Sequence, residues 1–335
     1  RAVAHPLVAL GGELKNTFGV ATGASVVLSH HIGDLGDVDT EADLERALQH
    51  YLGLLACEPR AIALDLHPEL ASSRLARGLA RRLGCPAIAV QHHHAHFAGC
   101  LLEAGHAGPA LGVIFDGLGL GHDGALWGGE VLVGDARRAL RFAHLRYVRA
   151  PGGDRAAQQP WRMAAAHLMD AGERTDDLRR FAGETELALV RRLVERGVAS
   201  PQTSSVGRLF DAVAAITGLA GENGFDARAA VLVEARADRA EVLDGYDIPA
   251  IHAGEGVELD TRPLIRGVRA DLARQVPVEV IAAKFHRALS RAVIDVAALA
   301  RATFGVSTVA LNGGVFMNGV LLAQCAEGLA REGVA

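Results

Sequence analysis

One local pattern occurs twice in this chain and limits the folds available to it. A short apolar run at residues 6–10 leads into a polar turn that starts with Gly11-Gly12, and two further strand-like runs follow at 18–21 and 25–29. The order recurs at 110–133 as an apolar run, a glycine-rich stretch from Asp116 to Gly124 that predicts a loop, and a return strand. A repeated strand–glycine turn–strand unit indicates an internal duplication, and two such halves would leave a cleft suited to a nucleotide.

The bulk composition narrows the class of protein. The chain has 335 residues, enough for two domains, and its low aromatic content of 4% predicts a core of Ala, Val and Leu. A net charge of −5 gives no basis for a nucleic-acid surface, and no apolar run approaches the roughly 20 residues of a membrane span. The four cysteines form no C-x-x-C pair, so we expect them reduced in a cytoplasmic protein.

Four histidines occupy five positions, 92–96, after an apolar run at 86–90 and ahead of a segment with helical periodicity. The apolar run predicts a buried strand. A helix that begins near His92 would present His92 and His96 on one face, one turn apart, where two neutral imidazoles can share a metal ion. A polar helix start and a His-rich surface are the alternatives. Asp116, at the end of the next strand, is a candidate third ligand.

Several further residues suit a nucleotide or a phosphate. Lys15 follows the first glycine turn and could reach a phosphate or carbamoyl oxygen, or be a solvated loop lysine. The glycines after Asp116 let backbone N–H groups approach phosphates, and Gly313-Gly314 forms a third junction suited to a purine or ribose. Glu234, on a predicted helix, could accept from ribose hydroxyls or be an ordinary surface residue.

Taken together, these motifs resemble the C-terminal domain of HypF, the carbamoyltransferase of nickel–iron hydrogenase maturation. They occur in the expected order along nearly the whole chain. The matching segments are residues 11–17, 29–35, 65–68, 90–96, 116–119, 127–130, 160–164, 204–211, 285–286 and 313–318.

The resemblance implies the duplicated ribonuclease-H-like α/β fold of actin and the sugar kinases, with two lobes around a nucleotide cleft. We expect the first lobe at residues 1–106, with the His motif, and the second at 107–335, with a helical insertion at about 151–202. In this family a closing Asp-glycine segment supplies another metal ligand. It would lie beyond Ala335, so we expect the C-terminal end of the domain to be missing and the chain to be a fragment.

The resemblance also implies a set of site residues. The metal ligands would be His92, His96 and Asp116, and the catalytic residues Lys15 and Asp116. The nucleotide-binding residues would be Gly117, Gly119, Asp211, Glu234, Gly313, Gly314 and Asn318. The metal could be iron, zinc or magnesium, of which two histidines and a carboxylate suit iron or zinc better.

The implied reaction is carbamoyl transfer from carbamoyl-adenylate, made from carbamoyl phosphate and ATP, to the C-terminal cysteine thiol of a HypE-type partner. This step leads to the cyanide ligands of the hydrogenase. Acylphosphatase, zinc-finger and adenylate-forming domains would precede this one in the same protein, and neither nucleic acid nor membrane is expected as a partner. The alternatives are O-carbamoylation of a small-molecule hydroxyl and a non-catalytic ATP-binding partner module. Residues 11–17 and 65–68 favour the HypF reaction over O-carbamoylation of a small molecule.

The chain departs from the family pattern in two places. Residues 225–230 read Phe-Asp-Ala-Arg-Ala-Ala where the family usually has Tyr-Glu-Gly-Gln-Ala-Ala. Gln159 stands before Pro160 where an acidic residue is common.

Overall fold

The computed structural model describes residues 3–254 and 256–333. The chain divides into two compact units, one of residues 1–92 and 120–122 and the other of residues 93–119 and 123–335. The boundary predicted at 106/107 stays a prediction. Among the described residues, no helix is both long and apolar enough to cross a membrane.

The first unit is built on a five-stranded sheet. Its elements are β1 (Leu7–Leu10), β2 (Phe18–Thr22), β3 (Ser25–Leu28), α1 (Val38–Leu54), β4 (Ala61–Asp65), α2 (Ala71–Leu83) and β5 (Ala87–Val90). The strand order is β3-β2-β1-β4-β5. β1 pairs antiparallel with β2 and parallel with β4, and β4 pairs parallel with β5.

The core of this unit follows from alternation along the strands and from the helical spacing of leucines. Val8, Val20 and Ile62 are fully buried from three different strands, and α1 adds Leu44 and Leu48 one turn apart. Period-2 and period-3.6 patterns place these residues on single faces, so the sheet and its helices share one apolar layer.

β5 corrects one expectation. The apolar run at 86–90 predicts a buried strand, but Ala87, Ile88 and Ala89 are exposed, Ile88 to 51%. β5 is the last strand in the sheet order. An apolar run predicts a strand well, but it does not say whether that strand is central or at an edge.

The remaining elements follow in the chain. They are α3 (His92–Glu103), β6 (Ala110–Leu120), β7 (Leu126–Gly134), β8 (Ala139–Leu145), β9 (Val148–Arg149), α4 (Asp154–Gln158), α5 (Pro160–Asp170), a 3-10 helix (Asp176–Arg180), α6 (Glu184–Arg196), β10 (Gln202–Thr203), α7 (Val206–Thr217), α8 (Arg228–Ala237), β11 (Ala250–Ala253), β12 (Gly256–Leu259), α9 (Arg262–Ala273), α10 (Val278–Phe304), β13 (Val309–Asn312), a second 3-10 helix (Gly314–Met317) and α11 (Gly319–Arg331).

The sheet of the second unit repeats the pairing of the first. β6 pairs with β7 and, in parallel, with β13, while β7 pairs antiparallel with β8. β6 and β13 therefore correspond to β1 and β4, which is the internal duplication predicted from the repeated motif. β12, β11, β10 and β9 extend this second sheet.

The loop predicted at 116–124 is wrong in its first half. β6 continues through Leu120, so Asp116, Gly117 and Gly119 are strand residues and the turn is confined to the residues before Leu126. Glycines within strands mark places where other backbone approaches closely. At Gly128 on the return strand, a Cβ would lie 2.6 Å from the Asp116 carbonyl oxygen.

The helices of the second unit form a core rich in alanine. Trp161 on α5 is 1% exposed and belongs to this core. The helical insertion predicted at about 151–202 contains α4, α5, a 3-10 helix and α6. α5 and α7 bury Ala164, Ala165, Ala214 and Ala215 completely, and small side chains let helices pack closely.

Candidate metal and nucleotide site

The helix α3 begins at His92, as predicted, and its four histidines have different surroundings. His93 is fully buried beside the Trp127 ring, with ring centroids 6.1 Å apart. The Nε2 atom of His94 lies 3.0 Å from the carbonyl oxygen of Asp135. His92 and His96 are partly exposed, one turn apart on the same helix.

Asp65 holds His92 in place from the end of β4. Its Oδ2 lies 2.9 Å from Nδ1 of His92, and its Oδ1 accepts a hydrogen bond from the backbone N–H of His67. An ionised carboxylate only accepts, so Nδ1 of His92 is the donor, and in the neutral form of the ring the lone pair is on Nε2. Although burial works in the opposite direction, the hydrogen bonds from His92 and His67 hold the pKa of Asp65 below its ordinary value.

The pairing of β4 with β5 brings these two residues together. Asp65 pairs in register with Val90, the last residue of β5, and α3 starts two residues later. Polar side chains at the carboxyl ends of parallel strands therefore meet the first turn of the helix.

Asn312, at the end of β13, holds His96 in the same way. Its Oδ1 accepts the backbone N–H of Gly313 at 2.6 Å and lies 3.0 Å from Nδ1 of His96. Because the N–H of Gly313 must donate to an oxygen, the atom facing His96 is the amide oxygen, and Nδ1 of His96 must carry the proton. With the proton on Nδ1, the neutral form of the ring has its lone pair on Nε2, on the side away from Asn312.

Asp116 is fixed by two backbone amides beside His96. Its Oδ1 accepts from the N–H groups of Gly117 (2.7 Å) and Gly314 (3.3 Å), and its Oδ2 lies 3.3 Å from Nε2 of His96. A carboxylate oxygen and an imidazole lone pair face each other favourably only across a cation or a proton. This donor geometry fits a bound cation.

Among the described residues, one group of at least three His, Cys, Asp or Glu side chains could hold a metal ion. It consists of His92, His96 and Asp116, each offering one ligand atom, with all three atoms within 4.8 Å of one another. Two imidazoles in their Nε2-ligating form and one carboxylate are the donors preferred by iron and zinc. The residues fit the metal that the sequence predicts.

Two glycines bring the β13 junction against Asp116. At Gly313, with φ +98°, a Cβ would lie 2.2 Å from the carbonyl oxygen of Phe115. At Gly314 it would lie 3.1 Å from Oδ1 of Asp116. Only glycine allows this backbone to pass so close to β6, and it keeps the Gly314 N–H aimed at the carboxylate.

The start of α7 lies on the other side of the same strand. Ser205 caps α7 by accepting the N–H of Arg208, and its hydroxyl lies 2.8 Å from the carbonyl oxygens of both Asp116 and Gly117. A Cβ at Gly207 would lie 3.1 Å from the Gly117 Cα. The capped start of α7 thus supports the Asp116–Gly117 backbone.

Glu234 and Asn318 meet at the start of α11. Oε1 of Glu234 accepts the N–H of Gly319 at 2.7 Å, and Asn318 caps the helix by accepting the N–H of Leu321 at 2.9 Å. The side-chain amide of Asn318 also donates to Nε2 of buried His286 at 2.9 Å. The structure therefore gathers Asp116, Gly313, Gly314, Glu234 and Asn318 around the β13–α11 junction.

Asp211 and Lys15 have other surroundings. Asp211 is 1% exposed on α7, where its Oδ2 lies 2.7 Å from Nε of Arg208 and its Oδ1 accepts from Asn223, and burial raises its pKa. Lys15 is exposed in the first unit at φ +52°, and its backbone N–H donates to Asp34. Both roles assigned from the sequence stay predictions.

A buried network behind the β6–β7 hairpin was not predicted. Glu130 is fully buried, accepts from Nε of Arg141 at 2.5 Å, and binds the Ser204 hydroxyl at 2.5 Å. The Arg141 guanidinium stacks 4.0 Å from the Trp127 ring. The only sign of this network in the sequence was the motif 127–130, which contains Glu130. Its charge partner Arg141 could not be found from the sequence, because their pairing depends on the register of β7 with β8.

Protein-family models account for both halves of the chain. Residues 2–103 match the model described as "HypF Kae1-like domain", and residues 112–335 match "Carbamoyltransferase, Kae1-like Domain, second subdomain". Curated relatives agree. A "Carbamoyltransferase HypF homolog" of Cupriavidus necator is 40% identical over 98% of this chain and 85% of its own length. "Carbamoyltransferase HypF2" of the same organism is 37% identical over 98% of this chain and 43% of its own length.

Solved structures give the same result. A full-length HypF in its phosphate- and nucleotide-bound form superposes with a TM-score of 0.93 at 32% identity, over 100% of this chain and 43% of that one. HypF of T. kodakarensis superposes with a TM-score of 0.90 at 29% identity, over 98% of this chain and 45% of that one. The predicted fold is confirmed, and this chain spans less than half the length of most of the curated relatives it matches.

Proposed function

The chain belongs to the HypF carbamoyltransferase family, and from this premise we propose that it transfers the carbamoyl group of carbamoyl-adenylate to a thiol. The acceptor is the C-terminal cysteine of a HypE-type partner, and another domain of the parent protein makes the adenylate from carbamoyl phosphate and ATP. The observation that carries the proposal is the convergence of the His92, His96 and Asp116 donors with the glycine backbone at 313–314.

In this reaction the sulfur of the acceptor thiolate bonds to the carbamoyl carbon. The bond between that carbon and the phosphate oxygen breaks, and AMP leaves as the phosphate monoester. A divalent metal at the site, when bound, would stabilise negative charge on the departing phosphate. The products are the thiocarbamate of the partner and AMP, so no oxidant or reductant is needed.

The nucleophile is the partner's thiol in this proposal. Cys57 and Cys325 of this chain are buried. Burial raises the pKa of Cys57 and raises that of Cys325 to about 12. A thiol must ionise to attack, so these two groups are poor nucleophiles at neutral pH.

The chain's own residues would hold the nucleotide. Gly117 and Gly119 on β6 and Gly313-Gly314 leave backbone open to the phosphates, and Glu234 and Asn318 at the start of α11 offer polar groups to the ribose. Asp211 would contribute a carboxylate only by exchanging its present partners. Lys15 would serve the carbamoyl or phosphate end.

The test uses the full-length parent protein with His92→Ala and His96→Ala. We expect transfer of carbamoyl to the partner thiol to fall below detection, while carbamoyl-phosphate-dependent release of pyrophosphate from ATP continues at the wild-type rate. His94→Ala is the matched control, since His94 lies on the same helix turn but faces the Asp135 carbonyl. Unchanged transfer in the two ligand variants would refute the proposed site.

A second readout separates this proposal from its alternatives. A peptide carrying the partner's C-terminal cysteine should gain one carbamoyl group in place of the thiol proton, and one AMP should be released from the adenylate for each peptide modified. Carbamoylation of a small-molecule hydroxyl in place of the peptide, or nucleotide binding with no AMP release, would contradict the proposed acceptor.

A further inference from the structure

Asp65 and Asn312 occupy equivalent positions in the two repeated sheets. Asp65 is the last residue of β4, which pairs parallel with β1, and Asn312 is the last residue of β13, which pairs parallel with β6. Each contacts Nδ1 of one histidine on α3, at 2.9 Å and 3.0 Å. The duplication has therefore placed one orienting residue in each unit.

We propose that Asp65 and Asn312 are a pair of positioning residues that hold His92 and His96 in the tautomer with Nε2 available to a metal. This inference rests on the metal centre of the proposed function. A histidine whose Nδ1–H is held by an acceptor is fixed in both rotation and tautomer, and loss of such a partner typically weakens metal binding.

The two orienting residues differ in charge, so they act on their histidines differently. Asp65 is a buried carboxylate, its side chain 8% exposed, and its bond to His92 is charge-assisted. Asn312 is neutral, and its oxygen is shared with the N–H of Gly313. The Asp65 bond should therefore restrain the ring of His92 more strongly than the neutral Asn312 bond restrains the ring of His96.

The first measurement is the affinity of this chain for Co²⁺ and Zn²⁺, from Co²⁺ absorption and competition with a chromophoric chelator. We expect Asp65→Ala and Asn312→Ala each to weaken binding by roughly 10- to 100-fold, with the larger loss for Asp65→Ala. Asp65→Asn keeps an acceptor but removes the charge, so its loss should be smaller than that of Asp65→Ala. Asp43→Asn is the control for net charge, since Asp43 is an exposed partner of Arg46 on α1.

The second measurement reports the tautomer directly. In two-bond proton–nitrogen spectra of the chain labelled with ¹⁵N-histidine and free of metal, the His92 and His96 rings should show a protonated Nδ1 and an unprotonated Nε2. Asp65→Ala should shift His92 alone, and Asn312→Ala should shift His96 alone, toward a tautomer mixture. A role limited to folding would change neither pattern selectively.

The outcomes separate the inference from the function it rests on. If His96→Ala leaves metal affinity intact, the metal centre itself is wrong. If His96→Ala abolishes binding while both alanine variants at the orienting positions bind metal as wild type does and keep the Nδ1–H tautomer, the metal centre stands and the positioning role is refuted.

Discussion

The two units present their histidines through the same strand position but with different chemistry. In the first unit a carboxylate, Asp65, binds His92 and the His67 amide through separate oxygens. In the second an amide, Asn312, binds His96 and the Gly313 amide through one oxygen. The comparison shows that a duplicated fold conserves where an orienting group stands while the residue there adapts to its own surroundings.

The units should differ most in their response to acid. His167 and His286 are buried in the second unit, and burial lowers the pKa of each to about 4. Between pH 6.5 and 4 the unfolded chain binds protons that the folded chain does not, so stability falls as pH falls. Each histidine should remove on the order of 1–3 kcal/mol of unfolding free energy across that window.

Asp65, in the first unit, affects stability in a more acidic pH range than the two histidines do. Its folded pKa is below the unfolded value, so its stabilisation is present above about pH 4 and is lost only below it. Asp211, in the second unit, has a raised pKa, so it partly offsets the loss of stability that the two histidines cause as pH falls.

Hydrogen exchange measured as a function of pH should show that the second unit opens first as pH falls. The variant His286→Gln should flatten the pH dependence of that unit. Equal acid sensitivity in the two units would contradict the comparison.

One glycine in each unit, Gly313 next to Asn312 and Gly12 near His92, should also differ in its tolerance of a side chain. Gly313→Ala places a Cβ against the Phe115 carbonyl at positive φ, and we expect a loss of about 2–4 kcal/mol of unfolding free energy. Gly12→Ala is the comparison variant in the first unit. The atom nearest to a Cβ at Gly12 is Cε1 of His92 at 3.8 Å, an ordinary van der Waals contact, so little loss is expected. Chemical denaturation gives the unfolding free energy of both variants. Equal losses in the two variants would contradict the expected difference.

The smallest expected effect concerns the nucleotide. Asn312→Ala frees the Gly313 N–H and should weaken binding of a non-hydrolysable ATP analogue by about 2- to 10-fold, the value of one neutral hydrogen bond. With the metal removed by a chelator, Asp65→Ala, in the first unit, should leave that affinity unchanged. Titration calorimetry measures the nucleotide affinity of the two variants. Equal losses of affinity would contradict the idea that only Asn312, which also accepts from Gly313, affects the nucleotide.

The sequence was sufficient to predict the class of fold and the histidine pair. The apolar run at residues 6–10 and the i, i+4 spacing of His92 and His96 are local signals, and the strand and the helix that they predict are present. The exposure of β5 was not predictable, because an apolar run does not reveal its place in the sheet order.

The remainder of the site depends on contacts distant in sequence. Asn312 meets His96 across 216 positions, and Glu130 meets Ser204 across 74. The extension of β6 past Asp116 was not predicted, because glycines occur both in turns and in strands where another backbone approaches closely. The burial of Asp211 depends in part on Asn223, 12 positions away, whereas Arg208 is its i, i+3 neighbour on α7.

The oxygen that Asn312 shares between His96 and Gly313 has a thermodynamic consequence. Any ligand that displaces the Gly313 peptide alters the acceptor available to His96, and any cation that fixes His96 restrains the Gly313 peptide. Linkage makes such an influence reciprocal, so the factor by which one ligand changes the affinity of the other is the same in both directions. One side-chain atom is thereby enough to make two binding equilibria cooperative.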